Sequence, residues 1–371
     1  MQCSLVMGFH LVEFAGAPGR GRPRVAGMDI AGLWDPEPGW LNTASYGLPP
    51  KPAWEALQAA LADWRVGRTS WEPWDESTTR ARESFARLIG ADAADVFVGS
   101  TVSAAVVPIA AALPDGAKVL TDDIEFTSNV FPWQVHADRG VEVIAVPGSE
   151  LVAAIKPGID LVAVSAVQSS TGVVLDLPAV IAAGKEIGAL VVIDASQALG
   201  WLPMRIDGVD ALIAHSYKWL MSPRGATLGY LSPRLQERCR PVAAGWYAAR
   251  DVHGSYYGPV MELDPGARRF DQSPAWFSFV GAAPALELIE QIGVDTINRH
   301  NLDLANAFRA GLGLEPSNSA IVSTSLPGAQ EAFASAGIRA AVRDGKLRAS
   351  FHIYSTDDDV QHALAALKPL L

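Results

Sequence analysis

The chain has 371 residues, 49% of them hydrophobic, and a formal net charge of −11. That length buries a large core with room for a second, smaller one, while the acidic balance excludes nucleic acid or an anionic membrane as the main partner, since both select a basic face. Two cysteines, Cys3 and Cys239, give neither a metal spacing nor a disulfide framework, and no apolar run reaches bilayer length, so a reducing cytoplasm is the expected location.

Residues 1–27 lack periodicity, with Gly, Pro, Ala and Arg crowded into 16–27, and they read as a disordered N-terminal extension. From 93 to 232 short β-branched runs alternate with helical ones. Strands are expected at 95–98, 118–121, 142–146, 161–167, 190–194, 211–214 and 227–231, with helices at 102–113, 128–139 and 178–187. Their continuous apolar runs imply a mainly parallel sheet covered on both faces. A Pro/Gly-punctuated stretch, 259–269, marks a boundary. Beyond it come helices at 277–292 and 294–311, a strand at 321–324, a helix at 328–336, and strands at 340–342 and 347–353. The last helix, 356–367, opens on Thr356 with three acids in its first turn, a good N-terminal cap.

Candidate site residues stand at strand ends. Lys218 follows the apolar run 211–214 between Tyr217 and Trp219, whereas the other six lysines occupy polar or turn-like positions. A partly desolvated ammonium loses its proton more readily and becomes nucleophilic, as an aldehyde-binding lysine must. Asp194 ends the apolar strand 190–194. An acid and a lysine closing two strands suggest the pair that holds the ring nitrogen and the aldehyde of pyridoxal phosphate. Ser100 and Thr101 end one strand and open a helix, which suits a phosphate, although a helix cap accounts for the same residues. Phe126 stacks on a flat ring or fills a core, and Gln197 meets a phenolic oxygen or lies at the surface. His215 and Tyr217 can both donate to phosphate, with a satisfied core histidine as the alternative for His215. Arg348 leads an apolar strand and is a candidate bidentate clamp for a carboxylate, or an ordinary surface arginine.

Six pieces in order resemble the class V members of the fold-type-I pyridoxal-phosphate enzymes, the group of cysteine desulfurases, kynureninase and isopenicillin-N-epimerase-like proteins. They are Leu-Asn-Thr-Ala-Ser-Tyr-Gly at 41–47, Gly99-Ser100-Thr101, the run 125–133 opening Glu-Phe-Thr-Ser-Asn, Asp194-Ala195-Ser196-Gln197, His215-Ser216-Tyr217-Lys218 and Leu347-Arg348-Ala349-Ser350. The resemblance covers residues 29–371. It implies an α/β fold: a mainly parallel seven-stranded sheet with helices on both faces, plus a smaller α+β C-terminal domain. The division it implies is 28–45 joining the small domain, 46–264 as the large cofactor-binding domain and 265–371 as the small one. It also implies a homodimer with active sites at the subunit interface and a small amino-acid substrate. Lys218 would carry the cofactor, Asp194 pair with its ring nitrogen, Gln197 meet its hydroxyl, and Phe126 stack where many relatives use histidine. Ser100, Thr101, His215 and Tyr217 would bind it through the phosphate side. Ser273 maps to a phosphate contact such enzymes make across the interface. Arg348 would take the substrate α-carboxylate, with Asn42, Ser45 and Trp74 beside the substrate.

One departure narrows the chemistry. A cysteine desulfurase carries a nucleophilic cysteine near the carboxylate arginine, and no cysteine follows Arg348 here. Within the family the chain resembles the carbon–sulfur lyases of ergothioneine biosynthesis, on overall similarity that includes Trp71-Glu72-Pro73-Trp74 and Gly245-Trp246-Tyr247. That implies β-elimination from a cysteine S-conjugate sulfoxide bearing a trimethylammonium group. Such a cation is held over aromatic faces, for which Trp71, Trp74, Trp246, Tyr247, Tyr256 and Tyr257 are candidates, each equally readable as a core or interface aromatic. An aminotransferase, epimerase or selenocysteine/cysteine lyase would use the same cofactor site, and a cofactor-binding protein without turnover is the remaining class.

Overall fold

The computed structural model describes residues 30–371, so the expectation for 1–27 lies outside the described residues. Seven strands form the large sheet: β1 (Val96–Gly99), β2 (Lys118–Asp122), β3 (Glu142–Val146), β4 (Leu161–Ser165), β5 (Leu190–Asp194), β6 (Ala211–His215) and β7 (Thr227–Leu231). Their order is β1-β7-β6-β5-β4-β2-β3. Every pairing from β3 through β6 is parallel, and β7 runs antiparallel to both of its neighbours. The mainly parallel seven-stranded sheet expected from the sequence is therefore present.

Alternate residues of each strand bury on opposite faces. Val98, Val162, Val164, Val191, Ile193 and Leu212 join one core with Phe85, Phe279 and Leu286 from the helices Glu72–Ile89 and Trp276–Ile292. Phe97, Leu161, Ala163, Leu190, Val192 and Ile213 join a second with Val102, Val106 and Ile109 from the helix Val102–Ala111. Helices on both faces explain why the strands read as unbroken apolar runs.

A smaller antiparallel sheet orders β8 (Ile321–Thr324), β10 (Lys346–Ser350) and β9 (Ala341–Arg343), with its own core around Leu41, Phe308, Phe333 and Phe351. The segment before the large sheet reaches this one: Trp40 bridges Arg339 and Asn42 bridges Ser350. The last helix, Asp357–Leu367, is capped as expected. Thr356 Oγ1 accepts from Asp359 N, and Asp359 Oδ2 accepts from Thr356 N at 2.9 Å. Among the described residues no single helix is long and apolar enough to cross a membrane.

Some elements differ from expectation. The helix expected at 128–139 is three short pieces: a 3-10 turn Thr127–Asn129, a single turn Phe131–Gln134 and a 3-10 turn Ala137–Arg139. Pro132 starts the middle piece, and Gly140 closes the last in the left-handed region. The strand expected over 347–353 ends at Ser350. Two long helices, Lys51–Arg65 and Glu72–Ile89, lie where no element is expected; both carry proline in the first turn, and the second ends on Gly90 at φ 71°.

A buried ion pair fastens this scaffold. Arg82 and Asp271 are almost completely buried, with Nη2 2.6 Å from Oδ2. Asp271 Oδ1 also accepts from Val98 N at 2.8 Å, and Arg82 donates to Val96 O. One carboxylate thus ties β1 and the helix Glu72–Ile89 to the turn that precedes the helix Trp276–Ile292. Breaking it leaves a guanidinium buried without its counter-ion, which costs about 3–5 kcal/mol. Asp271→Ala is expected to lower the unfolding free energy in urea by that amount, read as a lower midpoint with no change in the slope of the transition; a loss below about 1 kcal/mol would contradict this role.

Candidate active site

Asp194 is the last residue of β5 and His215 the last of β6, at the carboxyl edge where open parallel sheets bind ligands. After β6 the chain turns sharply and brings Lys218 and Asp194 to one cavity of about 340 Å³, which Thr101, Ser103, Phe126, Ser169 and Arg224 also line. Close backbone contacts hold the turn. Gly47 N donates to Tyr217 O at 2.9 Å, and a Cβ at Gly47 would lie 1.9 Å from Lys218 O. Gly200, at φ +106°, lies against Trp219, where a Cβ would stand 2.5 Å from the carbonyl oxygen. Met221 sits in the left-handed region at φ 54° and donates from N to Lys218 O at 3.1 Å. A methionine there is strained, and it persists because the surrounding packing leaves it no alternative.

The electrostatics follow from enclosure. Lys218 opens onto the cavity and is otherwise walled by protein. Its pKa is lowered to about 8, first by burial and then by the charges of Arg348, Arg343 and Arg224, against the upward pull of Asp194. Its Nζ stands 5.7 Å from the ring centroids of both Phe126 and Tyr217. Asp194 is 6% exposed, and burial raises its pKa against the pull of Ser196, whose N–H donates to Oδ1 at 2.8 Å. Burial, then Lys218, pulls His215 down to about 4, so the imidazole is neutral; its Nδ1 shares a hydrogen bond with Thr227 Oγ1 at 3.0 Å.

Glu125 lies beneath the Phe126 face of the cavity. Its carboxylate accepts from Ser165 N at 2.6 Å, from the Ser165 hydroxyl and from Phe126 N at 2.9 Å, fixing Phe126 to the end of β4. Burial raises Glu125 to about 7, with the charge of Asp194 adding to the rise.

This donor set fits pyridoxal phosphate. A deeply buried acid whose pKa is raised by desolvation is stabilised by a cationic ring nitrogen. An easily deprotonated amine suits an aldehyde. Phe126, 49% exposed, offers a face for a flat ring. The helix Val102–Ala111 begins at the cavity with the Thr101 and Ser103 hydroxyls, an arrangement that receives phosphate. Thr101 is a cap as well, because its Oγ1 accepts from Ala104 N at 3.1 Å.

The structure brings Thr101, Phe126, Asp194, Gln197, His215, Tyr217 and Lys218 together. Gln197 is already engaged: Nε2 donates to Ala44 O at 2.9 Å and Ser169 Oγ at 3.1 Å, and Oε1 accepts from Trp219 Nε1 at 2.8 Å. Arg348 is 1% exposed, behind Ser169 and Ser45; it donates to both hydroxyls, to Ser45 Oγ at 2.8 Å. Four expected residues lie elsewhere. Ser100 and Ser273 are exposed and do not line the cavity of their own chain, because the chain has turned away from it at both places. Asn42 faces a separate cavity with Trp40, Phe333 and Arg339. Trp74 packs on Phe277 at 4.8 Å between ring centroids, inside an aromatic cluster. Trp71 stacks on Trp276 at 5.1 Å in the same cluster and meets Trp246 edge-on, so these rings contact each other and not the Lys218 cavity. Ser103, Glu125, Ser165, Ser169, Ser196 and Arg224 were not anticipated. The rule that singled out Asp194 also reaches Ser165, the last residue of β4.

Comparison with known proteins agrees with this geometry. A family model described as aminotransferase class-V matches residues 69–335. An uncharacterised aminotransferase of Bacillus subtilis is 28% identical over 87% of this chain and 92% of its own length. Isopenicillin N epimerase of Streptomyces clavuligerus is 30% identical over 64% of this chain and 65% of its own length. Among solved structures, the cysteine desulfurase of Thermococcus onnurineus superposes with a TM-score of 0.78 at 22% identity, covering 90% of this chain and 94% of that one. The cystine C–S lyase C-DES gives 0.81 at 20% identity, covering 90% and 98%.

Two outcomes follow. With Lys218 as the aldehyde-binding amine, uptake of pyridoxal phosphate by the apo chain is expected to need its neutral form, so the rate falls about tenfold per pH unit below about 8 and levels off above. In Asp194→Asn the profile moves to lower pH, because the charge that holds the Lys218 pKa up is gone; an unshifted stopped-flow profile would contradict the pairing. Glu125 titrates near 7 in the folded chain against 4.5 for the ordinary side chain. The folded state holds that proton more tightly, so the group's contribution is full below 4.5 and is lost as pH rises through about 7, roughly 3 kcal/mol in all. Between about pH 5 and pH 8, Glu125→Gln is expected to lose less stability to urea than the parent, and equal losses would rule the effect out.

Proposed function

The chain belongs to the aminotransferase class-V family and takes pyridoxal phosphate as its cofactor, and from that premise we propose that it is a carbon–sulfur lyase. The reaction is β-elimination from a cysteine S-conjugate sulfoxide, with hercynylcysteine sulfoxide as the substrate. The observation that carries this reading is the cavity's inventory. It joins a lysine of lowered pKa to a buried acid, with arginines nearby. The one cysteine among the described residues, Cys239, is instead buried in an apolar core, where burial pushes the thiol up to about 12. A thiol so placed is no nucleophile for a persulfide mechanism.

Lys218, Asp194, Phe126, Thr101, His215 and Tyr217 would hold the cofactor. When bound, pyridoxal phosphate supplies an electron sink for the pair released from the Cα–H bond. Asp194 keeps a positive charge favourable at the ring-nitrogen side. Lys218, neutral in about half of the molecules near pH 8 and in most above it, accepts the Cα proton. Arg348 orients the substrate by its α-carboxylate once Ser45 and Ser169 yield their hydrogen bonds. The Cβ–S bond breaks with its electron pair on sulfur, giving a sulfenic acid that a thiol reductant converts to ergothioneine. The remaining three carbons leave as aminoacrylate, which water converts to pyruvate and ammonia. Two features support elimination: a sulfenate leaves readily, and the step needs only a base and an electron sink.

Purified protein loaded with pyridoxal phosphate is expected to release pyruvate from hercynylcysteine sulfoxide, with Lys218→Ala at least about 100-fold slower. A bound cofactor with no pyruvate, but with amino transfer to a keto acid or racemisation of an amino acid, would replace this reading with another of the family's reactions.

A further inference from the structure

The small sheet places a second arginine at the cleft. Arg343 ends β9 and Arg348 lies on β10, across a tight turn in which Asp344 and Gly345 both have positive φ. Both guanidinium groups reach the same acceptor. Arg348 Nη2 donates to Ser45 Oγ at 2.8 Å and Arg343 Nη2 donates to it at 3.3 Å. Arg343 Nη1 donates to Val342 O at 2.8 Å, which fixes the planar group at a second point. Among the described residues neither arginine forms a salt bridge. Arg348 Nε is buried without a hydrogen-bond partner.

Two like charges converging on one hydroxyl repel each other. Burial, and then the charge of Arg343, lower Arg348 to about 10. The same charge also acts on Lys218 and on Tyr217. Elsewhere in the chain, closely placed arginines meet acids: Arg80 with Glu287, Arg82 with Asp271, Arg87 with Glu290 and Arg234 with Asp210. The cleft pair has no such acid, and guanidinium forks bind carboxylates with matched geometry. Arg348 is buried on the inner side, whereas Arg343 is exposed at the rim. The inner arginine suits the end of a substrate nearest Lys218, and the rim arginine suits the end that extends outward.

We propose that Arg343 binds a second carboxylate, carried on the leaving fragment, so that the site selects cysteine S-conjugates with an acid at both ends. This rests on the reading of Arg348 as the α-carboxylate contact. The histidine-betaine fragment of the proposed substrate carries such a carboxylate, and the inference extends to S-carboxyalkyl cysteines generally.

The test uses the loaded holoenzyme and two thioethers of similar shape, S-(2-carboxyethyl)-L-cysteine and S-propyl-L-cysteine. Thioethers are poor leaving groups, so binding is read from the change in cofactor absorbance whether or not elimination occurs. The parent is expected to bind the carboxylated conjugate about tenfold or more tightly than the propyl one. Arg343→Gln is expected to erase that preference while leaving the affinity for the propyl conjugate within about twofold, and Arg343→Lys to restore part of it. No preference in the parent, equal weakening of both conjugates in Arg343→Gln, or binding of neither conjugate would each overturn the proposal. A preference that depends on Arg343 without pyruvate release from the corresponding sulfoxides would sustain the second carboxylate site and remove the elimination reading instead.

Discussion

The structure turns on keeping one amine out of water beside one acid. Lys218 and Asp194 share a cavity at the carboxyl edge of the large sheet, and burial acts on both before any other influence does. For the lysine, desolvation outweighs the attraction of Asp194, so the amine titrates near 8. For the acid, desolvation outweighs the pull of Ser196 and Lys218, so its pKa rises. Each charge is thus less stable than in water, which leaves both groups ready for a ligand that offers an electrophilic carbonyl to one and a cation to the other.

Holding that pair requires rigid backbone. The lysine turn lies between two glycine backbones, Gly47 and Gly200, and includes a strained Met221. The strip that supplies Gly47 also supplies Ser45, which Arg348 and Arg343 share, and Ala44, whose N–H donates to Ser350 Oγ at 2.9 Å. A few residues of one segment therefore fix the lysine turn relative to the small sheet. Any motion of that sheet against the large one must move Arg348 and the lysine turn through this strip.

Charge is distributed with the same economy. The acids Asp194 and Glu125 belong to the inner wall, and Arg224, Arg343 and Arg348 to the surrounding side. Arg224 also lies over the Tyr217 ring, 4.9 Å from its centroid. An amino acid has one cation and one anion on the same carbon, so a cavity with this polarity orients it before any chemistry begins. The Arg82–Asp271 pair is almost wholly buried and does not line the cavity.

The sequence by itself determined what depends on neighbours along the chain. Short apolar runs specified the strands of the large sheet, and the closing residue of one gave Asp194, while the turn beyond the next strand gave Lys218. The Thr356 cap was equally legible, since its partner is three residues away. The tertiary structure alone decided what distant segments do when they meet. Arg343 and Arg348 reach Ser45 across 298 and 303 residues, and no periodicity links such positions. Trp74, which the family resemblance placed beside the substrate, packs instead on Trp276 and Phe277, where aromatic rings bury surface against one another. Hydrophobic pattern reports which face of an element is buried; it does not report which element will cover it, and that choice places the arginines and the serines of this cleft.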